Sequence, residues 1–378
     1  MSTRPLPEDP SPATSRAEVR LPCTNLVAEM RFFQETLGFR LEEIYPADDP
    51  RVALVSGHGL YLRLQLDAPE APATVRILSD APEHVAKGRT QLVSPGGNRV
   101  EVDALNPSYT TPVPTQEFIV RRLVDRAPWV IGRAGMQYRD LIPGRLGGSI
   151  IASHIRIPEG GPVPDMVHYH VVGFQLIYCY RGWVRLVYED QGEPFILNAG
   201  DCVTQPPQIR HRVLEASDGL QVIEIGVPAE HITTIDHDMT LPTATVNRER
   251  EFQGQRFCHH LLHEAVWQAW RLPGFEARDT GVNDTSAGVA GVQVARYRGN
   301  ADTPSVATTH DADILFSFIL SGSMVLHSTA GAQPLGTGEA FVLPRGEPHR
   351  YAECSDDLEL LEVSLPGPFA TEVRAPAD

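Results

Sequence analysis

Two stretches decide how this chain folds: GPVPDMVHYHVVGFQLIYCYRG, residues 161–182, and GDCVTQPPQIRHRVLE, residues 200–215. The first reads G-x6-H-x-H-x4-Q-x6-G through Gly161, His168, His170, Gln175 and Gly182. The second reads G-x5-P-x-Q-x2-H-x3-E through Gly200, Pro206, Gln208, His211 and Glu215. Residues two apart on a strand share a face, so His168 and His170 point the same way. A turn and a hairpin can bring Gln175 and His211 towards them. Three imidazoles and an amide oxygen suit a divalent ion such as Fe, Mn, Ni, Cu or Zn. A coordination position left open makes such a site catalytic.

Working outward, the same unit occurs twice. Arg139-Asp140 recurs as Arg278-Asp279, and GRLGGSIIASHIRI from Gly144 parallels DTSAGVAGVQVARY from Asp284. Gly182 parallels Gly322 and Gly200 parallels Gly338, always at an offset of 138–140 residues. The second copy has lost ligands. His310 aligns with His170 and His349 with His211, but Thr308 stands at His168 and Leu315 at Gln175. Gly338, Pro344, Gly346 and His349 keep its second motif. Two imidazoles hold a metal poorly, so the second copy is expected to be structural, packing on the first and closing its sheet edges.

From about residue 130 onward, short β-branched runs broken by Gly, Pro and Asp dominate, the pattern of an all-β sandwich or barrel. The chain carries 48 acidic and 32 basic residues, a net charge of −16, which repels phosphate backbones and argues against nucleic-acid binding. No apolar run is long enough to span a membrane. The polar, Pro-rich start reads as a disordered tail over residues 1–17 with no signal peptide. Five scattered cysteines without a CxxC pair fit free thiols, and the cytoplasm is the expected location.

At the histidine motifs the chain resembles the cupin superfamily, whose members are double-stranded jelly-roll barrels. The resemblance covers roughly residues 130–370 and implies a bicupin. Carried over residue by residue, the metal ligands fall on His168, His170, Gln175 and His211. Gln175 replaces the family's Glu, Gln208 its turn glycine and Glu215 its Asn. With Gln175 neutral, the ion keeps its full charge and favours anionic chelating substrates. Gln175 is either a ligand or a hydrogen-bonder to bound water.

Residues 18–103 are similar to the vicinal oxygen chelate family, the fold of glyoxalase I and bleomycin-resistance proteins. The helix with FFQETLGF, Phe32–Phe39, and the strand SPGGNRVEVD, Ser94–Asp103, carry that likeness. Asn25 or Thr24 caps the helix, with Leu26, Met30, Phe33 and Leu37 on one face and Gly38 as its stop. Glu101 falls on the family's last carboxylate ligand, but no further ligands match and the region is short. It reads as a degenerate domain used for dimer contacts or as a lid.

The expected fold is mainly β: two tandem jelly-roll (cupin) barrels behind an N-terminal α+β glyoxalase-like domain. The boundaries are a truncated glyoxalase-like domain over 18–105, a linker over 106–125 and a first barrel with the metal site over 126–232. A linker with a helix over 233–262 and a degenerate second barrel over 263–370 follow. In that helix His259 and His263 pair at i and i+4, with Trp267 and Trp270 docking it. Before the ligands, SIIASHIRI puts His154 and Arg156 on one strand face. If that face is the interior, His154 serves as acid or base and Arg156 holds a carboxylate or enolate. The opposite parity puts both outside.

The resemblance implies a metal-dependent enzyme, in first place a non-haem dioxygenase with Fe(II) acting on a small oxygen-rich substrate. The alternatives are a non-redox isomerase, cyclase or hydrolase using Zn or Mn, and a non-catalytic small-ligand-binding bicupin. A homodimer is the expected assembly.

Overall fold

The computed structural model describes residues 16–46, 48–106, 110–125, 127–300 and 305–374. The chain divides into two units at residue 108. Most of the tail expected over residues 1–17 lies outside the described residues. Among the described residues no helix is long and apolar enough to cross a membrane.

The first unit begins with strand Val19–Cys23 and helix Leu26–Arg31, which runs on through a wider turn, Phe32–Thr36. Asn25 caps the helix by accepting from the Ala28 N–H at 3.0 Å. Leu26, Phe33 and Leu37 are buried as their spacing predicts. They pack on a sheet ordered Val19–Cys23, Leu60–Leu66, Val52–Gly57 and Arg40–Tyr45. A three-stranded sheet of Thr74–Ser79, Arg99–Ala104 and Gln91–Val93 completes the unit. Where a second helix would stand there is only the irregular 3-10 segment Pro82–Gly88. The fully buried Glu29 accepts hydrogen bonds from Ser94, the Gly96 N–H and Asn98, pinning the SPGGN turn to the helix.

The second unit is two jelly-roll barrels in tandem. The first has a seven-stranded sheet ordered His259–His260, Cys202–Thr204, Phe174–Arg181, Leu220–Val227, Ile151–Ile157, Gln137–Asp140 and Val130–Ile131. Opposite it run Phe195–Asn198, Trp183–Tyr188, His211–Ala216, His168–His170 and Thr233–Ile235. The second barrel repeats the larger sheet as Trp267–Ala269, Phe275–Asp279, Gly291–Tyr297, Glu359–Leu365, Ile314–Ser321, Ala340–Leu343 and Ile119–Arg121. Each barrel has its own interior core, and a third core of residues such as Phe174, Leu176, Ile225, Phe316 and Val363 joins them. These strands are therefore apolar on both faces.

The barrels exchange edge strands. Ile119–Arg121, which precedes the first barrel, pairs with Ala340–Leu343 of the second. His259–His260, which precedes the second barrel, pairs with Cys202–Thr204 of the first. Each exchange covers an edge that would otherwise offer unpaired backbone groups. Three boundary expectations are corrected by this. The linker over 106–125 ends in a strand of the second barrel, and Thr371–Arg374 extends that barrel past residue 370 by pairing with Ala307–His310. The helix expected in the second linker does not form. HHLLHE becomes strand His259–His260 and the 3-10 turn Leu262–Glu264, because edge pairing outweighs a four-residue helical spacing.

Gly182 and Gly322 mark the same tight turn in the two copies, at φ +76° and +73°. A side chain at either would also run into a serine, Ser217 or Ser355. The glycines were spaced by backbone geometry, not by chemistry.

Candidate metal centre

Strand His168–His170 lies between His211–Ala216 and Thr233–Ile235, with His168 directly opposite His211. This register brings the three imidazoles together: their ligating atoms lie within 4.8 Å of one another, and all three residues are buried. His168 Nδ1 donates to the Met166 carbonyl at 2.7 Å, and His211 Nδ1 to the Ile209 carbonyl at 3.0 Å. Each then has its lone pair on Nε2, and His168 Nε2 is buried without a protein partner. His170 Nδ1 shares a 2.8 Å hydrogen bond with the Thr233 hydroxyl. Burial pushes the His170 imidazole down to about 2, aided by His168 and His231. Burial likewise lowers His168 and takes His211 well below the ordinary imidazole range. Neutral imidazoles with fixed Nδ1–H groups and inward lone pairs are what a divalent ion requires, so these residues fit one.

Gln175 is buried on Phe174–Arg181, in the sheet opposite the triad. Its Nε2 donates to Glu224 Oε1 at 2.7 Å, and its Oε1 is buried with no partner. Glu224 lines a cavity of about 60 Å³ together with His170, His211, Gln205, Tyr188 and Arg133. That is room for a few waters or the edge of a small molecule. Ile155, Ile177 and Val222 supply apolar walls. Burial raises the Glu224 carboxyl, opposed by the Gln175 hydrogen bond and the charges of His231 and Arg133. Arg133 is ion-paired with the buried Asp165, which also accepts from the Val213 N–H at 2.9 Å.

Glu224, Arg133 and His231, whose ring lies 5.4 Å from that of His170, are absent from the motif reading. Only Glu224 left a signal: a lone carboxylate in the apolar run QVIEIGV. Tyr169 and Arg210 point away from the centre as their parity predicts, stacked at 4.3 Å with Arg210 bonded to Asp236. Cys179 belongs to the barrel core, where burial pushes its thiol up to about 12. In the first unit Glu101 is exposed, and among the described residues the histidine triad is the only cluster of metal-ligating side chains.

The structure does not bring His154 to the triad, and Arg156, though it borders the cavity beside His170 and His211, has its guanidinium engaged by Trp129 and Gln137. The interior face of Ile151–Ile157 is carried by Ile155 and Ile157, so His154 faces the second barrel. Its ring packs on Trp129, Tyr180 and Phe318. His154 Nδ1 accepts from Arg139 at 2.8 Å and Nε2 donates to Gln221 at 2.8 Å. Arg156 lies 4.1 Å over the Trp129 ring and donates to Gln137. In the second copy Arg296 sits 3.7 Å over Trp267, so the pair is a repeated structural element rather than part of a site.

Burial and Arg139 lower His154 to about 4. The unfolded chain takes up this proton near pH 6.5, whereas the native state takes it up only near 4. Stability is therefore fully present above pH 6.5 and falls as the pH drops from there towards 4. The loss from this group reaches about 3 kcal/mol at the acid end, at about 1.4 kcal/mol per pH unit. Unfolding midpoints measured across pH 5–7 are expected to fall with acidity, and less steeply in His154→Gln.

In the second barrel His349 Nε2 is 3.3 Å from the Thr308 hydroxyl, and His310 Nε2 donates to the Leu343 carbonyl at 3.2 Å. The Nε2 atoms of both rings are thus engaged within the protein, while His310 Nδ1 is buried without a protein partner. Glu362, the counterpart of Glu224, is gripped by both terminal nitrogens of Arg271, one of them at 2.7 Å from its carboxylate. Burial lowers His310 and His349, and the same guanidinium adds to it.

Among known families, one described as an AraC-like ligand binding domain matches residues 291–375, inside the second barrel. No curated protein matches the chain. Among solved structures it is similar to a mutant salicylate 1,2-dioxygenase from Pseudoaminobacter salicylatoxidans, at 13% identity and TM-score 0.50, covering 70% of this chain and 90% of that one. A second mutant of that enzyme, in complex with gentisate, matches at 16% identity and TM-score 0.50, covering 70% and 87%. A mutant oxalate decarboxylase from Bacillus subtilis matches at 13% identity and TM-score 0.49, covering 71% and 82%. At these identities the likeness to the dioxygenase is one of fold, and the fold it shows is the mainly β architecture of paired cupin barrels.

Proposed function

We propose that the first barrel is a metal-dependent enzyme centre held by His168, His170 and His211 with Gln175, and that its reaction is the dioxygenation of a small oxygen-rich substrate. The observation that supports this most is the convergence of three buried imidazoles, two of which, His170 and His211, border a small cavity. A divalent ion such as Fe(II), bound there, would bring a chelating substrate and O₂ into contact. Around it the chain's own residues do three things. Ile155, Ile177 and Val222 exclude water. Arg133 supplies positive potential for an anionic substrate, and the polar edges of Gln205 and Tyr188 orient it, with Gln205 Nε2 donating to the Tyr188 hydroxyl at 2.9 Å.

The uncharged donor set favours a second reading, an isomerase, cyclase or hydrolase with Zn or Mn as Lewis acid. An oxygen electrode separates the two. With iron-loaded protein and a panel of small hydroxy-aromatic acids and β-diketones, substrate-dependent O₂ uptake is expected, and is expected to vanish in His211→Ala. Turnover without O₂ uptake in zinc- or manganese-loaded protein would replace the first reading by the second. The known salicylate dioxygenase structures add only that this fold accommodates such chemistry in another protein.

A further inference from the structure

The first barrel lacks the carboxylate that would neutralise part of an ion's charge, yet a carboxylate stands one residue behind. Glu224 accepts from Gln175 Nε2 at 2.7 Å. That hydrogen bond commits the nitrogen end of the amide. The oxygen end, Oε1, is buried and without a partner in the protein. Reversing the amide would set its oxygen against the Glu224 oxygen, so the carboxylate dictates which end is free.

The second barrel is an internal control. There Leu315 replaces Gln175, pairing with Ser364 as Gln175 pairs with Gly226. Glu362 holds the position of Glu224, and with no amide to receive it is bound by Arg271. Arg133, the counterpart of Arg271, is instead held by Asp165 in the first barrel and leaves Glu224 to Gln175. The carboxylate thus meets a guanidinium in the second copy and the nitrogen end of an amide in the first.

We propose that Glu224 is a positioning residue and charge partner for the ion of the first barrel, holding the Gln175 amide so that its oxygen is presented as the fourth donor. This deepens the metal-centre reading and rests on it. Glu224 is not itself a ligand of the ion. It acts on Gln175, as carboxylates behind histidine ligands act on the imidazole.

The test uses the full chain loaded with Co(II), with the visible spectrum reporting the donor set and chelator competition reporting affinity. Glu224→Leu is expected to weaken Co(II) binding roughly 10–100-fold, the range seen when a partner behind a ligand is removed, and to change the spectrum. Glu224→Gln keeps an oxygen for Gln175 Nε2 but loses the charge. It is expected to weaken binding about tenfold while leaving the spectrum as in the wild type. Being isosteric, it carries the test if Glu224→Leu does not fold. Gln175→Leu/Glu224→Leu is expected to bind no more weakly than Gln175→Leu alone, because the two residues act as one unit. Wild-type affinity in both Glu224 variants would overturn the proposal, as would losses that simply add. His170→Ala separates the two levels of failure. If the wild type takes up no Co(II), the metal-centre reading falls. If the wild type binds, His170→Ala does not, and the Glu224 variants match the wild type, only the role of Glu224 falls.

Discussion

Replacing His170 by alanine is expected to abolish tight binding of a divalent ion, with an affinity loss well beyond the roughly 10–100-fold seen for partners behind a ligand. The imidazole is buried and neutral, and its Nδ1 is fixed by Thr233. The expected loss appears twice. Competition with a chelator reads it directly. Thermal unfolding reads it indirectly, because an ion at about 100 times its Kd stabilises the native state by about 2.7 kcal/mol. That metal-dependent rise in Tm is expected in the wild type and absent in His170→Ala. His310→Ala, in the second barrel, is expected to keep both, since Thr308 and Leu315 there replace two of the first barrel's donors. A His170→Ala protein that binds metal like the wild type would contradict the assignment of the site.

Arg271→Met is expected to be the most destabilising single change in the second barrel, by about 3–5 kcal/mol. Glu362 is nearly fully buried and both of its oxygens are taken by Arg271. The guanidinium is itself stacked 3.9 Å over Trp270, so its planar group is held on two sides. Removing it leaves an uncompensated carboxylate among apolar side chains, which is the costly case. Removing both charges is not. Arg271→Met/Glu362→Leu is expected to recover most of the lost stability, because a well-packed apolar pair often equals or exceeds a buried ion pair. Denaturant midpoints of the two variants beside the wild type decide this. Equal loss in the single and double variants would mean that packing on Trp270, and not the charge, is what the barrel needs.

Much of this protein was legible before its structure. The repeat, the jelly-roll class and the grouping of His168, His170 and His211 follow from motif spacing, because ligand geometry forces residue types to recur at fixed intervals. The capped helix near the N-terminus was legible for a similar local reason: Asn25, the apolar stripe and Gly38 all lie within 14 residues of one another. What stayed hidden was set by contacts distant in sequence. The exchanged edge strands Ile119–Arg121 and His259–His260 are each too short to be read as strands, and their partners lie far along the chain. The parity of His154 was unreadable because both faces of Ile151–Ile157 are buried, one in the first barrel and the other against the second. Alternation marks a buried face only when the other face is wet. Glu224 escaped notice because its partner is an amide on another strand, and nothing in the local sequence names that partner.

The proposed metal centre is single and lies in the first barrel. Diffraction from crystals of metal-loaded protein, recorded at the absorption edge of the bound ion, tests this most directly. A single anomalous peak per chain is expected, among His168, His170 and His211. A peak between His310 and His349, or none at the triad in protein shown to be fully folded and metal-saturated, would contradict it.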